Sequence, residues 1–89
     1  IITPTPGEIT FPILQRLCGP GLLVTDDEAL HAVALAWARL KVVLEPGGAV
    51  ALAAALFRKD LIRGDDVICV ASGGNVDKDV FLRALALLP

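Results

Sequence analysis

Apolar and polar positions along the chain fall into three patterns. Residues 26–41 place Ala29, Leu30, Ala32, Val33, Ala34, Leu35, Ala36, Trp37, Ala38 and Leu40 at nearly every angle around a helical axis, leaving no broad polar face. That pattern predicts a helix enclosed on several sides. Thr25 followed by Glu28 is a capping-box signature at its start, and Asp26, Asp27 and Glu28 suit the positive end of its dipole. A second helix is predicted over 48–59; its first half is Ala and Val, small enough for a neighbouring backbone to come close. A last helix over 77–88 carries Val80, Phe81, Ala84, Leu85 and Leu88 at helical spacing.

The second pattern is the short continuous apolar run. Leu22-Leu23-Val24 reads as a short buried strand, and Val67-Ile68-Cys69-Val70-Ala71 as a central strand buried on both faces. The latter ends in Ser72-Gly73-Gly74-Asn75 and a helix follows, an α/β arrangement of strands flanked by helices. The third pattern is punctuation. Residues 3–12 hold three prolines and a glycine, which makes an irregular connector. Thr10 caps, with Pro12 in the first turn, a short helix near 11–18 that Cys18-Gly19-Pro20-Gly21 stops. Polar turns are expected at Arg58-Lys59-Asp60 and Arg63-Gly64-Asp65-Asp66.

At 89 residues the chain is one small domain or a piece of a larger one. Its 55% hydrophobic content and mean hydropathy of +0.70 rule out a disordered segment. Two enclosed helices in so short a chain demand packing partners that the chain does not contain. The absence of Met and the opening Ile1-Ile2-Thr3 point the same way, to residues 1–89 as a single segment of a longer polypeptide. Exposed apolar surface is therefore expected on the Trp37 helix and on residues 49–57.

A net charge of −2 and a pI near 5.1 provide no basic patch, which excludes nucleic acid as a partner. The longest apolar run, 49–57, has nine residues, against the roughly 20 of a membrane-spanning helix. Nothing at the start resembles a secretion signal. Cys18 and Cys69 read as buried free thiols in a reducing compartment, and the chain as cytoplasmic.

Two loops are candidates for chemistry. In open α/β sheets ligands collect at the carboxyl ends of strands, where Ser72-Gly73-Gly74-Asn75 offers a hydroxyl and close backbone approach to a small molecule. The same loop serves equally as a tight turn capped by Asn75 or Asp77. It lacks the G-x-G-x-x-G spacing and the G-K-[ST] ending of phosphate cradles. In Leu44-Glu45-Pro46-Gly47-Gly48 a lone carboxylate precedes an apolar helix start. It either complements the helix dipole or stands near a ligand. His31 is a plain helix residue, Cys69 an inert core thiol, and no metal-ligand cluster or Ser-His-Asp, CxxC or HExxH arrangement exists.

Glu45-Pro46-Gly47-Gly48-Ala49 leading into an Ala-rich helix, followed about 20 residues on by residues 67–71 and Ser72-Gly73-Gly74-Asn75-Val76-Asp77, resembles a known family. It is the carboxyl-terminal region of pyridoxal-phosphate-dependent serine/threonine dehydratases and serine racemases, of fold type II. Thr5-Pro6-Gly7-Glu8-Ile9-Thr10-Phe11-Pro12 and Val24-Thr25-Asp26-Asp27-Glu28 match in the same order, so the resemblance spans nearly the whole chain. It implies a carboxyl-terminal piece of the large α/β cofactor domain, incomplete on its own.

The resemblance further implies pyridoxal 5'-phosphate as cofactor. Ser72 would hydrogen-bond the pyridine nitrogen, Gly73 and Gly74 would let the backbone pass close to the ring, and Asn75 would fix the turn. Glu45 would lie near the ring and the reacting carbon as the catalytic candidate, with Gly47 and Gly48 keeping its turn tight. The family's Schiff-base lysine, phosphate-gripping loop and acidic cation cluster have no match here, since Lys41, Lys59 and Lys78 lie in other contexts. The resemblance assigns them to a preceding portion, so the chain alone is expected to be inactive.

The implied activity is an ammonia-lyase that converts L-serine, L-threonine or 3-hydroxyaspartate to a 2-oxo acid and ammonia. The implied partners are the rest of the enzyme chain and a second copy in a dimer, with no nucleic acid and no membrane. Serine racemisation is one alternative; a non-catalytic α/β binding or assembly module is another.

Overall fold

The computed structural model describes all 89 residues. It contains four α-helices: α1, Thr10–Leu17; α2, Asp26–Leu35; α3, Pro46–Phe57; and α4, Lys78–Leu85. Residues Ala36–Leu40 continue α2 as a π-helical turn, and Lys59–Leu61 form a 3₁₀ turn after α3. The core lies where α2 packs against α3 and α4; α1 packs on no other helix.

The start of α2 is fixed as its sequence predicts. The Thr25 hydroxyl accepts the Glu28 N–H at 3.1 Å while a Glu28 carboxylate oxygen accepts the Thr25 N–H at 2.8 Å. The helix ends later by a different device. Lys41 sits in the left-handed region at φ 60°, its ammonium donates to the Ala38 carbonyl at 2.9 Å, and it lies 5.6 Å from the Trp37 ring centre. Pro46 at the first position opens α3, where its missing N–H costs nothing, two residues before the predicted boundary.

Alanine dominates the interior. Ala32 and Ala34 on α2, Ala49 and Ala53 on α3, and Ala84 on α4 are fully buried, and Val33 is the largest fully enclosed side chain. Small side chains on facing helices allow close axes, but they remove little apolar area from water. The core is correspondingly thin. His31 packs its ring 5.6 Å from Phe57, which agrees with a structural role.

The predicted strands do not form ladders in this chain. Residues 22–24 and 67–71 are neither helical nor paired. Their predicted burial is also corrected: Leu23 is 87% exposed, Ile68 94% and Val70 70%. A strand needs a neighbouring strand to share its backbone hydrogen bonds, and neither segment has one. Cys69 is half-buried, with its thiol 3.5 Å from the Ala51 carbonyl, whereas Cys18 is exposed rather than buried, because α1 has nothing against it.

Exposed apolar surface appears in part where expected, on Trp37 and Leu40. Residues 49–57 differ from expectation: they are buried or half-buried because α2 covers them. No helix is long and apolar enough to cross a membrane.

One ion pair ties the ends of the helical pair together. The Arg58 guanidinium, just past α3, grips Glu28 in the first turn of α2 through two parallel bonds of 2.5 and 2.8 Å, and also donates to the Phe57 carbonyl at 2.9 Å. The Arg58 hydrogen bond foremost, then the Thr25 backbone N–H, holds the Glu28 carboxyl below its ordinary value of 4.5. A carboxylate with a lowered folded pKa contributes its stability above the unfolded value and loses it as pH falls through the folded one. Thermal midpoints taken from about pH 6 to about pH 3 are therefore expected to fall below the unfolded carboxylate range, and to fall less in Arg58→Ala. Equal pH dependence in both proteins would contradict the clasp.

Candidate functional site

The two candidate loops meet. Residues 42–45 leave the α2 turn and deliver Glu45 to the N-cap of α3 in extended geometry, φ −83° and ψ 161°. Its side chain makes no capping bond. Its backbone N–H instead donates to the Gly73 carbonyl at 3.1 Å, which docks the Ser72–Asn75 loop on the first turn of α3.

The glycines are needed for space. Among the glycines only Gly64, remote from these loops, has positive φ, so backbone freedom does not explain Gly48, Gly73 or Gly74. A Cβ on Gly48 would collide with the Gly73 peptide, and one on Gly73 with the Glu45 carboxylate oxygen Oε1. A Cβ on Gly74 would stand 2.5 Å from the Val43 carbonyl oxygen. Gly47 is different: a Cβ there would approach only Ile1 Cγ1, at 3.4 Å, so the structure does not require glycine at this position.

Ser72 and Asn75 are exposed, and Glu45 is half-buried. Neither Ser72 nor Asn75 makes a side-chain hydrogen bond within the chain. The turn at Asn75 is closed by the backbone, Val76 N–H to the Gly74 carbonyl at 2.9 Å. Asp77 occupies the N-cap of α4 without a side-chain capping bond. The loop is thus a tight turn with Asp77 at the N-cap position but without a side-chain capping bond, and the Ser72 hydroxyl has no partner within the chain.

Two wide clefts of about 540 and 650 Å³ lie elsewhere, the first against Phe11 and Leu14, the second against Leu22 and Arg63, and neither includes Glu45 or Ser72. The site is a strip of bare backbone with a carboxylate on Gly73 and a hydroxyl on the adjoining residue. No group of His, Cys, Asp and Glu side chains is arranged to hold a metal. Sequence reasoning missed Val43, whose carbonyl abuts Gly74. A backbone contact leaves no trace in side-chain identity.

The three crowded glycines are bare because the chain's own Gly73 peptide, Glu45 carboxylate and Val43 carbonyl fill the space beside them, and the exposed Ser72 hydroxyl and half-buried Glu45 carboxylate are the polar groups this strip offers a cofactor. The comparisons with known proteins bear on the family. The pattern of the family described as "Pyridoxal-phosphate dependent enzyme" matches residues 1–73. The chain is 43% identical over 75 residues to a serine racemase from Dictyostelium discoideum, covering 82% of this chain and 23% of that relative. It is 40% identical over 72 residues to an L-threonine ammonia-lyase from Geobacter sulfurreducens, covering 81% of this chain and 18% of the relative. An L-threo-3-hydroxyaspartate ammonia-lyase from a Pseudomonas species is 35% identical over 79 residues, 89% of this chain and 25% of the relative. No solved structure matches.

The chain belongs to the pyridoxal-phosphate-dependent enzyme family. It spans about a fifth to a quarter of the length of these relatives.

The packing separates crowded from open glycines. Gly74→Ala is expected to destabilise the protein by about 1–3 kcal/mol through overpacking on the Val43 carbonyl. Gly19→Ala, with nothing within 4 Å, should be neutral or stabilising by up to about 1 kcal/mol. Denaturant titration of both variants checks this; equal costs would contradict the packing account.

Proposed function

We propose that the chain is the carboxyl-terminal part of the α/β cofactor domain of a cytoplasmic ammonia-lyase that deaminates a hydroxy amino acid, L-serine, L-threonine or 3-hydroxyaspartate. The observation that carries this reading is the Glu45 N–H to Gly73 carbonyl bond, which brings the hydroxyl-bearing loop and the carboxylate-bearing loop together on one bare strip. Relatives named for threonine and hydroxyaspartate ammonia-lyase support the substrate class. In the complete domain residues 22–24 and 67–71 pair as strands, and the enzyme is a homodimer.

Pyridoxal phosphate, when bound, supplies an electron sink for removal of the substrate's Cα proton. Ser72 would hold the pyridine nitrogen through its hydroxyl. A neutral hydroxyl does not favour a proton on that nitrogen as a facing carboxylate does, which weakens the sink and favours loss of the β-hydroxyl over transamination. Glu45 would keep its carboxylate beside the ring and the reacting carbon, where it affects cofactor or substrate protonation. The Gly73 and Gly74 backbone would pass along the ring, with Asn75 ending the turn and the bare Gly48 admitting the Gly73 peptide against the Glu45 turn.

None of the chain's lysines serves as the covalent anchor. Lys41 is committed to Trp37 and the Ala38 carbonyl, and Lys59 and Lys78 lie at the 3₁₀ turn and the start of α4. The anchoring lysine and the opposite wall of the site come from the rest of the enzyme, so the 89-residue chain alone is inactive. Serine racemisation is the second reading, favoured by the serine racemase relative. It shares removal of the Cα proton and differs in returning it to the opposite face.

The test is an absorbance spectrum of the full-length enzyme with pyridoxal phosphate, before and after L-serine, L-threonine or L-threo-3-hydroxyaspartate, with 2-oxo acid and D-serine measured in parallel. A visible band that responds to substrate with 2-oxo acid released is expected, and Ser72→Ala should lower turnover by about 10–1,000-fold, a loss of about 1.4–4 kcal/mol of transition-state stabilisation. D-serine without 2-oxo acid would replace the lyase with the racemase. No band in folded full-length protein would overturn both.

A further inference from the structure

Gly73 occupies a position that alanine's backbone tolerates, since its φ is not in the left-handed region. The atoms nearest to where a Cβ would stand all belong to one side chain: Glu45 Oε1 in collision, Cδ at 3.3 Å and Cγ at 3.7 Å. The Gly73 carbonyl meanwhile accepts the Glu45 N–H at 3.1 Å, so the two residues are also joined at the backbone. A methyl at position 73 therefore meets the carboxylate, the free end of a flexible side chain, before it meets any backbone atom.

We propose that Gly73 is a positioning residue for Glu45: its bare Cα is the seat that fixes where the Glu45 carboxylate stands beside the cofactor. The inference rests on the proposed placement of the cofactor at this strip, and it adds a cause for the glycine distinct from backbone passage along the ring. Backbone passage would make every side chain at 73 harmful whatever stands at 45. Seating makes the harm conditional on the length of the side chain at 45.

A double-mutant cycle in the full-length enzyme separates these. Pyridoxal phosphate affinity, the visible circular dichroism of the bound cofactor and the thermal midpoint without cofactor are measured for Gly73→Ala, Glu45→Ala, Glu45→Asp and the two doubles. In the Glu45 parent, Gly73→Ala is expected to weaken cofactor affinity about tenfold and to alter the dichroism, a coupling within the range found for residues in contact. In the Glu45→Ala background, which removes the colliding oxygen and the two carbons behind it, the same change should alter affinity less than about twofold and leave the dichroism unchanged. Glu45→Asp, one methylene shorter, should give an intermediate cost.

An equal cost of Gly73→Ala in every background would overturn the seating role. If Gly73→Ala alone does not fold, the double with Glu45→Ala must fold, and its failure to do so would overturn the proposal as well. Absence of cofactor binding in the unmutated enzyme would instead strike the functional reading, so the two failures are distinguishable.

Discussion

A single backbone hydrogen bond, Glu45 N–H to the Gly73 carbonyl, holds together two loops that are 28 residues apart in sequence. Everything at the candidate site depends on it. The donor is one of the unpaired N–H groups at the start of α3, and every helix must satisfy such groups from outside its own ladder. Here the partner is a peptide of the Gly-rich loop, and the approach is so close that Gly48, Gly73 and Gly74 have no room for side chains. The cost of ordering the loop is set against a contact that also directs a carboxylate and leaves a hydroxyl unpaired.

The scaffold behind the site is thin. Alanines of α2, α3 and α4 form most of the core, and the capping box and the Arg58 clasp on Glu28 hold the polar end of the α2–α3 pair. Close helices bring α3's first turn to a defined place, but a core of alanines removes less apolar surface than one of Leu and Phe. Apolar side chains of α1 and of Val67, Ile68 and Val70 remain exposed in a chain that spans about a fifth to a quarter of the length of its relatives.

Helices were legible in the sequence because their signals are local. Thr25 and Glu28 announced α2, and the order of Glu45 and Ser72 carried the family. The strands expected at 22–24 and 67–71 form no ladder within these 89 residues, because a strand depends on a neighbouring strand that local pattern does not supply. Cys18 and residues 49–57 were misjudged for a related reason: burial is decided by what packs opposite. The spatial pairing of Glu45 with Gly73 was invisible to spacing, as was Val43, since both act through main-chain atoms.

The central claim is that the docked loops form one edge of the cofactor site, with Ser72 at the pyridine nitrogen and Glu45 seated on Gly73. A crystal structure of the full-length enzyme with pyridoxal phosphate measures this directly. The account predicts the Ser72 Oγ within about 3 Å of the pyridine nitrogen, with the Glu45 to Gly73 backbone bond intact beneath the ring. A ring bound away from Ser72, or a carboxylate facing that nitrogen in its place, would contradict it.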